Sequence, residues 1–171
     1  MSYAQKINDL AAGFAASFEE HHKIFCTAES CTGGLIAGSI TEISGSSQWF
    51  ERGFVTYTNT AKEEMLGVQA STLQRVGAVS RETAKEMAEG ALAHSHADIS
   101  VAVTGIAGPT GGSAEKPVGT VWIAFCVRGQ QAVAHCHHFD GDRHAVRSQT
   151  IIEALDGLLA CANGVKLLDY E

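Results

Sequence analysis

Proline is nearly absent from this chain, with two residues in 171, and none of its five cysteines falls at CxxC spacing. The shortage of proline, beside 18 glycines and no Ser or Gln bias, excludes a low-complexity disordered chain. The odd, scattered set Cys26, Cys31, Cys126, Cys136 and Cys161 excludes a disulfide framework and a zinc ribbon, so free thiols are expected. Positive charge is also short. Twelve Lys and Arg against 19 Asp and Glu give a net −7, which argues against nucleic acid as a partner, because a phosphate-backbone binder needs a basic face. No apolar run approaches the ~18 residues of a membrane span. The opening MSYAQKINDL lacks a basic-then-apolar signal pattern, so a cytoplasmic location and no membrane partner are expected.

What is plentiful is glycine, 18 of 171 residues against a usual ~7%. Such an excess marks places where backbone turns sharply or approaches something closely. At roughly 100–200 residues per domain, the length predicts a single domain over 1–171.

Apolar residues at helical spacing (Ile7, Leu10, Phe14, Phe18) predict a first helix from Tyr3 to Phe18, and KIFCTA at 23–28 reads as a strand. A polar, glycine-containing turn follows at 29–34, then a helix carrying Leu35, Ile36, Ile40 and Ile43. FVTYT at 54–58 predicts a second strand. Thr60-Ala61-Lys62-Glu63 fits a capping box for a short helix that starts near Ala61 and stops at Gly67. Ser80 caps a helix whose face is Ala84, Met87, Ala88, Ala91 and Leu92. ISVAVT at 99–104 reads as a strand covered on both sides, and it runs into the loop GIAGPTGG. Gly119–Val127 and Ala132–Phe139 form a hairpin, and Asp142 caps the last helix. The expected fold is α/β, a three-layer α/β/α sandwich on a mixed sheet of about five strands. Gly13, Gly38, Gly90 and Gly157 fall inside predicted helices, where close packing would explain them.

Chemistry is most readily placed at the strand–turn–helix around Ser30, where a hydroxyl and free first-turn amides meet. The plainer alternative is that Ser30 or Thr32 is only a helix cap. No Ser-His-Asp set offers itself, since the eight histidines lie away from this turn. Lys62, five residues after Tyr57, is the better candidate base; it must be neutral to act. With an ordinary pKa near 10.4 only about one lysine in a thousand is free amine at pH 7.4, so the site must lower that value by roughly 2 to 3. A solvated surface lysine is the alternative. The glycine loop lacks the P-loop order but could wrap an anion with backbone amides, or be a long ordered turn. Arg143 and Arg147, at i and i+4, could hold one phosphate or carboxylate, or could pair with Asp140 and Asp142 on a solvated face. Along a strand, His135 and His137 share one face while Cys136 and His138 share the other, which disfavours a metal site. Glu29 is assigned a hydrogen-bonding structural role.

Seven ordered blocks, AESCTGG (28–34), WFERGFVTY (49–57), Lys62, GAVS (77–80), TGIAGP (104–109), KPVGTV (116–121) and GDR (141–143), together resemble the CinA C-terminal domain family over nearly the whole chain. The resemblance implies a single α/β/α domain that hydrolyses the carboxamide of nicotinamide mononucleotide to nicotinate mononucleotide and ammonia, in pyridine nucleotide salvage; no metal or cofactor is expected. It implies Ser30 as nucleophile, assisted by Tyr57 and Lys62. Substrate contacts are then expected from Cys31, Thr32, Gly33 and Gly34, from Thr104, Gly105, Ala107 and Gly108, and from Arg143 and Arg147. The expected partner is a small mononucleotide, and self-association is compatible with the sequence. The rival readings are an amidase of another nucleotide amide and a non-catalytic nucleotide-binding module.

Overall fold

The computed structural model describes residues 1–169; the last two positions of the expected domain lie outside the described residues. Helix α1 (Tyr3–His21) leads into β1 (Phe25–Glu29), α2 (Leu35–Thr41), β2 (Phe50–Val55), α3 (Asn59–Leu66), α4 (Ala70–Val76), α5 (Arg81–Ala93), β3 (Ile99–Gly105), β4 (Thr120–Val127), β5 (Val133–His138) and α6 (Arg143–Ala162). The five strands lie in the order β2-β1-β3-β4-β5. β1 pairs in parallel with β2 and β3, whereas β3, β4 and β5 run antiparallel, so the sheet is mixed. Helices cover both faces, and the fold is the three-layer α/β/α sandwich.

The two faces of the sheet differ because side chains alternate along each strand. One face presents Phe25, Ile99, Val101, Val103, Val121, Ile123 and Phe125 to Phe14 of α1, Ile36 and Ile40 of α2, and Leu155 and Leu158 of α6. The other presents Cys26, Ala28, Ala102, Ala124, Cys126 and Ala134 to the alanine-lined side of α5. Small residues on both partners let α5 approach the sheet closely, and the Ser100 hydroxyl donates to the Ala88 carbonyl of α5 at 2.7 Å. Gly90 continues this theme. A Cβ there would collide with the Leu66 carbonyl of α3, so glycine is what lets α3 seat against α5. Gly157 likewise faces the Phe125 ring, whereas Gly38 has nothing within 4 Å and owes nothing to packing.

The structure differs from the sequence expectations at several elements, and α2 ends at Thr41, before Ile43. The second strand is Phe50–Val55, not 54–58. It is an edge strand with exposed polar positions, so its Glu51, Arg52 and Gly53 hide the pattern. The cap of α3 is Thr58, whose hydroxyl accepts from the Ala61 N–H at 3.1 Å, so the helix starts two residues before the expected point. Helix α4 was not anticipated; it is short and buries only Thr72 and Leu73.

On β5, His135 and His137 do share a face, with ring centroids 6.3 Å apart, and His137 stacks on Phe139 at 5.1 Å. Burial, reinforced by the neighbouring histidines, brings the His137 pKa down to about 4. The unfolded chain therefore takes up this proton more readily, and stability falls as pH drops from about 6.5 towards 4. His135, lowered by burial, acts in the same sense, while Glu153, raised by burial, opposes it. His137→Phe should flatten the loss of Tm between pH 6.5 and 4 in thermal melts, and an unchanged slope would show that His137 does not set it.

Candidate active site

The C-terminal ends of β1, β2 and β3 lie side by side, and the turn after β1 is built around Glu29. This last residue of β1 is fully buried. Its carboxylate accepts from Thr32 Oγ1 at 2.6 Å, the Ile36 N–H at 2.8 Å and the Ala37 N–H at 3.0 Å. Helix α2 has Gly34 at its cap, with no side chain to satisfy its first amides, so Glu29 of the strand does this instead. The chain between them must fold tightly, and Gly33 and Gly34 sit at φ +60° and +99°.

Ser30 is held at the top of β1 by its N–H to the Val103 carbonyl at 3.1 Å, and its carbonyl accepts from the Gly33 N–H at 3.0 Å. The N–H groups of Thr32 and Gly34 meet no backbone acceptor among the described residues. A group bound beside Ser30 could use them.

Lys62 is not a surface lysine: it is 1% exposed. Its Nζ lies 3.0 Å from Ser30 Oγ and donates to the Thr56 carbonyl at 2.9 Å. The Thr56 N–H in turn donates to the Glu29 carbonyl at 2.9 Å, so serine, lysine and the end of β2 close a ring of contacts. Burial holds the Lys62 pKa below the ordinary lysine value. The adjacent Cys31 thiol, pushed up to about 11 by its own burial, stays protonated at neutral pH and supplies no anion to reverse the effect.

Tyr57, 58% exposed, turns its hydroxyl to Arg143, whose guanidinium donates to it at 3.0 Å and to the Gly108 carbonyl at 2.8 Å. No hydrogen bond joins Tyr57 to Lys62 among the described residues. Thr104 is buried and donates to the Ala78 carbonyl at 2.9 Å, tying the segment before α5 to β3. Gly105 is required by closeness: a Cβ would lie 2.6 Å from Val121 Cγ2.

A cleft of about 210 Å³ joins these groups, with Ser30, Cys31, Tyr57, Lys62, Thr104, Gly105, Ala107 and Arg143 on its walls. Asn59, Ala78 and Val79 also line it; Ala78 and Val79 belong to the GAVS segment, and their apolar side chains carry no reactive group that would mark them as site residues. Thr32, Gly33 and Gly34 shape the turn rather than the wall. The paired arginines divide: Arg143 reaches the cleft, while Arg147 lines a separate apolar hollow with Tyr3, Leu35 and His144. Arg147 Nε donates to the Cys31 carbonyl at 3.0 Å and its NH2 to the Thr32 carbonyl at 3.2 Å. A hollow of about 600 Å³ between the β4–β5 hairpin and residues 165–169, with Cys161, Lys166 and Asp169 on its walls, lies apart from Ser30 and Lys62.

A three-layer α/β/α domain with a buried lysine against a strand-end serine defines the class. The chain belongs to the CinA C-terminal domain family, whose model matches residues 7–162. It is 50% identical over 155 residues to a nicotinamide-nucleotide amidohydrolase PncC of Enterobacter agglomerans, covering 91% of this chain and 94% of that protein. It is 56% identical over 132 residues to the protein of that name from Escherichia coli K12, covering 77% and 80%. Among solved structures, the competence/damage inducible protein CihA of Agrobacterium tumefaciens superimposes with a TM-score of 0.88 at 52% identity, over 92% of this chain and 96% of that one.

Glu29→Ala strands the Ile36 and Ala37 amides and the Thr32 hydroxyl. At about 1–3 kcal/mol for each unsatisfied buried group, partly relieved by water, a loss of about 2–4 kcal/mol is expected in urea unfolding. A change under 0.5 kcal/mol would mean that the turn stands without this carboxylate.

Proposed function

We propose that this chain hydrolyses the carboxamide of nicotinamide mononucleotide to nicotinate mononucleotide and ammonia, a step of pyridine nucleotide salvage. The observation that carries the reading is the desolvated Lys62 amine 3.0 Å from Ser30 Oγ, in a chain half identical to proteins named for this activity. A neutral amine keeps a lone pair. With one N–H directed at the Thr56 carbonyl, that lone pair can accept the Ser30 proton.

In the proposed sequence Lys62 takes the hydroxyl proton as Ser30 Oγ bonds to the carboxamide carbon. The oxyanion is received by the unpartnered turn amides next to Ser30. The tetrahedral adduct then collapses: the C–N bond breaks, Lys62 returns the proton to the leaving nitrogen, and ammonia departs. Water, deprotonated by the same amine, hydrolyses the ester and restores Ser30. No step calls for a proton relay through Tyr57. Its role is to carry, with Arg143, the mouth of the cleft.

The cleft is smaller than the ~300 Å³ at which ligand pockets usually begin, so it suits the reacting carboxamide end of a substrate, with the remainder at the mouth. There Arg143 offers the cationic corner for a 5′-phosphate, and binding so remote from the reacting carbon helps position the amide.

Ser30→Ala and Lys62→Ala should each lower ammonia release from nicotinamide mononucleotide by about 1,000-fold or more while leaving the melting curve cooperative. Near-wild-type turnover by Ser30→Ala would end the assignment of the nucleophile. Because the base must be unprotonated, kcat/KM should climb with pH along a limb centred below the ordinary lysine value, and Lys62→Arg should abolish the limb together with the activity. Arg143→Ala should raise KM for the nucleotide about 10-fold or more and leave KM for nicotinamide riboside little changed. Equal effects on both would remove Arg143 from phosphate recognition.

A further inference from the structure

We infer that Arg147 is a positioning residue for the reaction, acting through the backbone of the Ser30 turn and not through the substrate phosphate; this rests on the amidohydrolase reading above. Its guanidinium donates to two successive carbonyls, of Cys31 and Thr32, and packs 3.6 Å from where a Gly33 Cβ would lie. Those carbonyls belong to the Cys31–Thr32 and Thr32–Gly33 peptide planes, the second and third after Ser30. In a trans peptide the C=O and the following N–H point in opposite directions. Anchoring the Cys31 carbonyl towards α6 therefore sends the Thr32 N–H away from Arg147, within the turn that carries Ser30.

The second contact fixes the next plane. The Thr32 carbonyl also accepts from the Leu35 N–H at 3.2 Å, and the Gly33 N–H is engaged by the Ser30 carbonyl. This leaves the Thr32 amide oriented and without a backbone partner among the described residues. With glycine at the two following positions, the turn has little stiffness of its own. Glu29 holds it through the Thr32 side chain and the α2 amides, but no contact of Glu29 reaches the Cys31 carbonyl. Arg147 alone among the described residues does so.

A charged donor on a carbonyl also polarises its peptide, which makes the attached N–H a stronger donor. Charge on the substrate oxygen develops only in the transition state, so a loss of this orientation is read in kcat and not in KM.

The test compares Arg147→Met and Arg147→Lys with wild type in two assays, nicotinamide mononucleotide turnover and the rate at which a fluorophosphonate labels Ser30. The second needs the same nucleophile and oxyanion donors but no nucleotide. Arg147→Met should lose about 10- to 100-fold in kcat with KM within about 3-fold, and labelling should slow by a similar factor. Arg147→Lys, able to reach one carbonyl, should recover part of both and serves if the Met variant does not fold. His144→Gln alters the same hollow without touching the turn and should leave both rates at wild type. A rise in KM with unchanged kcat and unchanged labelling would overturn the positioning role and return Arg147 to the phosphate. If wild type is labelled but does not turn over the nucleotide, the substrate reading fails, and the labelling ratio between wild type and Arg147→Met still decides the role of Arg147.

Discussion

A lysine amine out of water is the constraint on which the site depends. An ammonium buried at the end of β2 without a carboxylate partner would carry a large desolvation penalty, and the group responds by favouring its neutral form. What would be a defect in a structural core is useful beside a serine. The Thr56 carbonyl takes one N–H, Ser30 Oγ is the other neighbour, and the Thr56 N–H ties the pair back to the Glu29 carbonyl. The Lys62 amine is thus anchored on the main chain through the Thr56 carbonyl.

Two features of the fold bring this about. The small-residue face of the sheet lets α5 come close, and Gly90 lets α3 lie against α5 at the level of Leu66, one turn beyond Lys62. On the other face the turn after Ser30 is gripped from the sheet by Glu29 and from α6 by Arg147. Ser30, at the end of β1, and Lys62, from α3 on the α5 side of the sheet, meet because parallel β1 and β2 end side by side.

The fold was legible where residue size and periodicity agree, as in the continuous apolar β3, the Ser80 and Asp142 caps and the β4–β5 hairpin. It was illegible where tertiary placement overrides local pattern. Phe50–Val55 is an edge strand whose polar residues read as loop, and Tyr57-Thr58 looks like strand although Thr58 caps a helix. In the site, the turn and Lys62 could be picked as candidates, but nothing local distinguishes a buried lysine from a solvated one. Arg143 and Arg147 look equivalent at i and i+4. Their difference lies in partners more than 80 residues away, Tyr57 for one and the Cys31 and Thr32 carbonyls for the other. Glycine excess likewise had mixed causes, left-handed turns at Gly33 and Gly34, close approach at Gly90 and Gly105, and neither at Gly38.

The most direct test follows the Lys62 amine itself. In protein carrying ¹³C at lysine Cε, the Lys62 resonance, assigned by its loss in Lys62→Arg, should titrate below the ordinary lysine range of about 10.4, apart from the surface lysines. Titration together with the surface lysines would contradict a neutral Lys62 acting as base for Ser30.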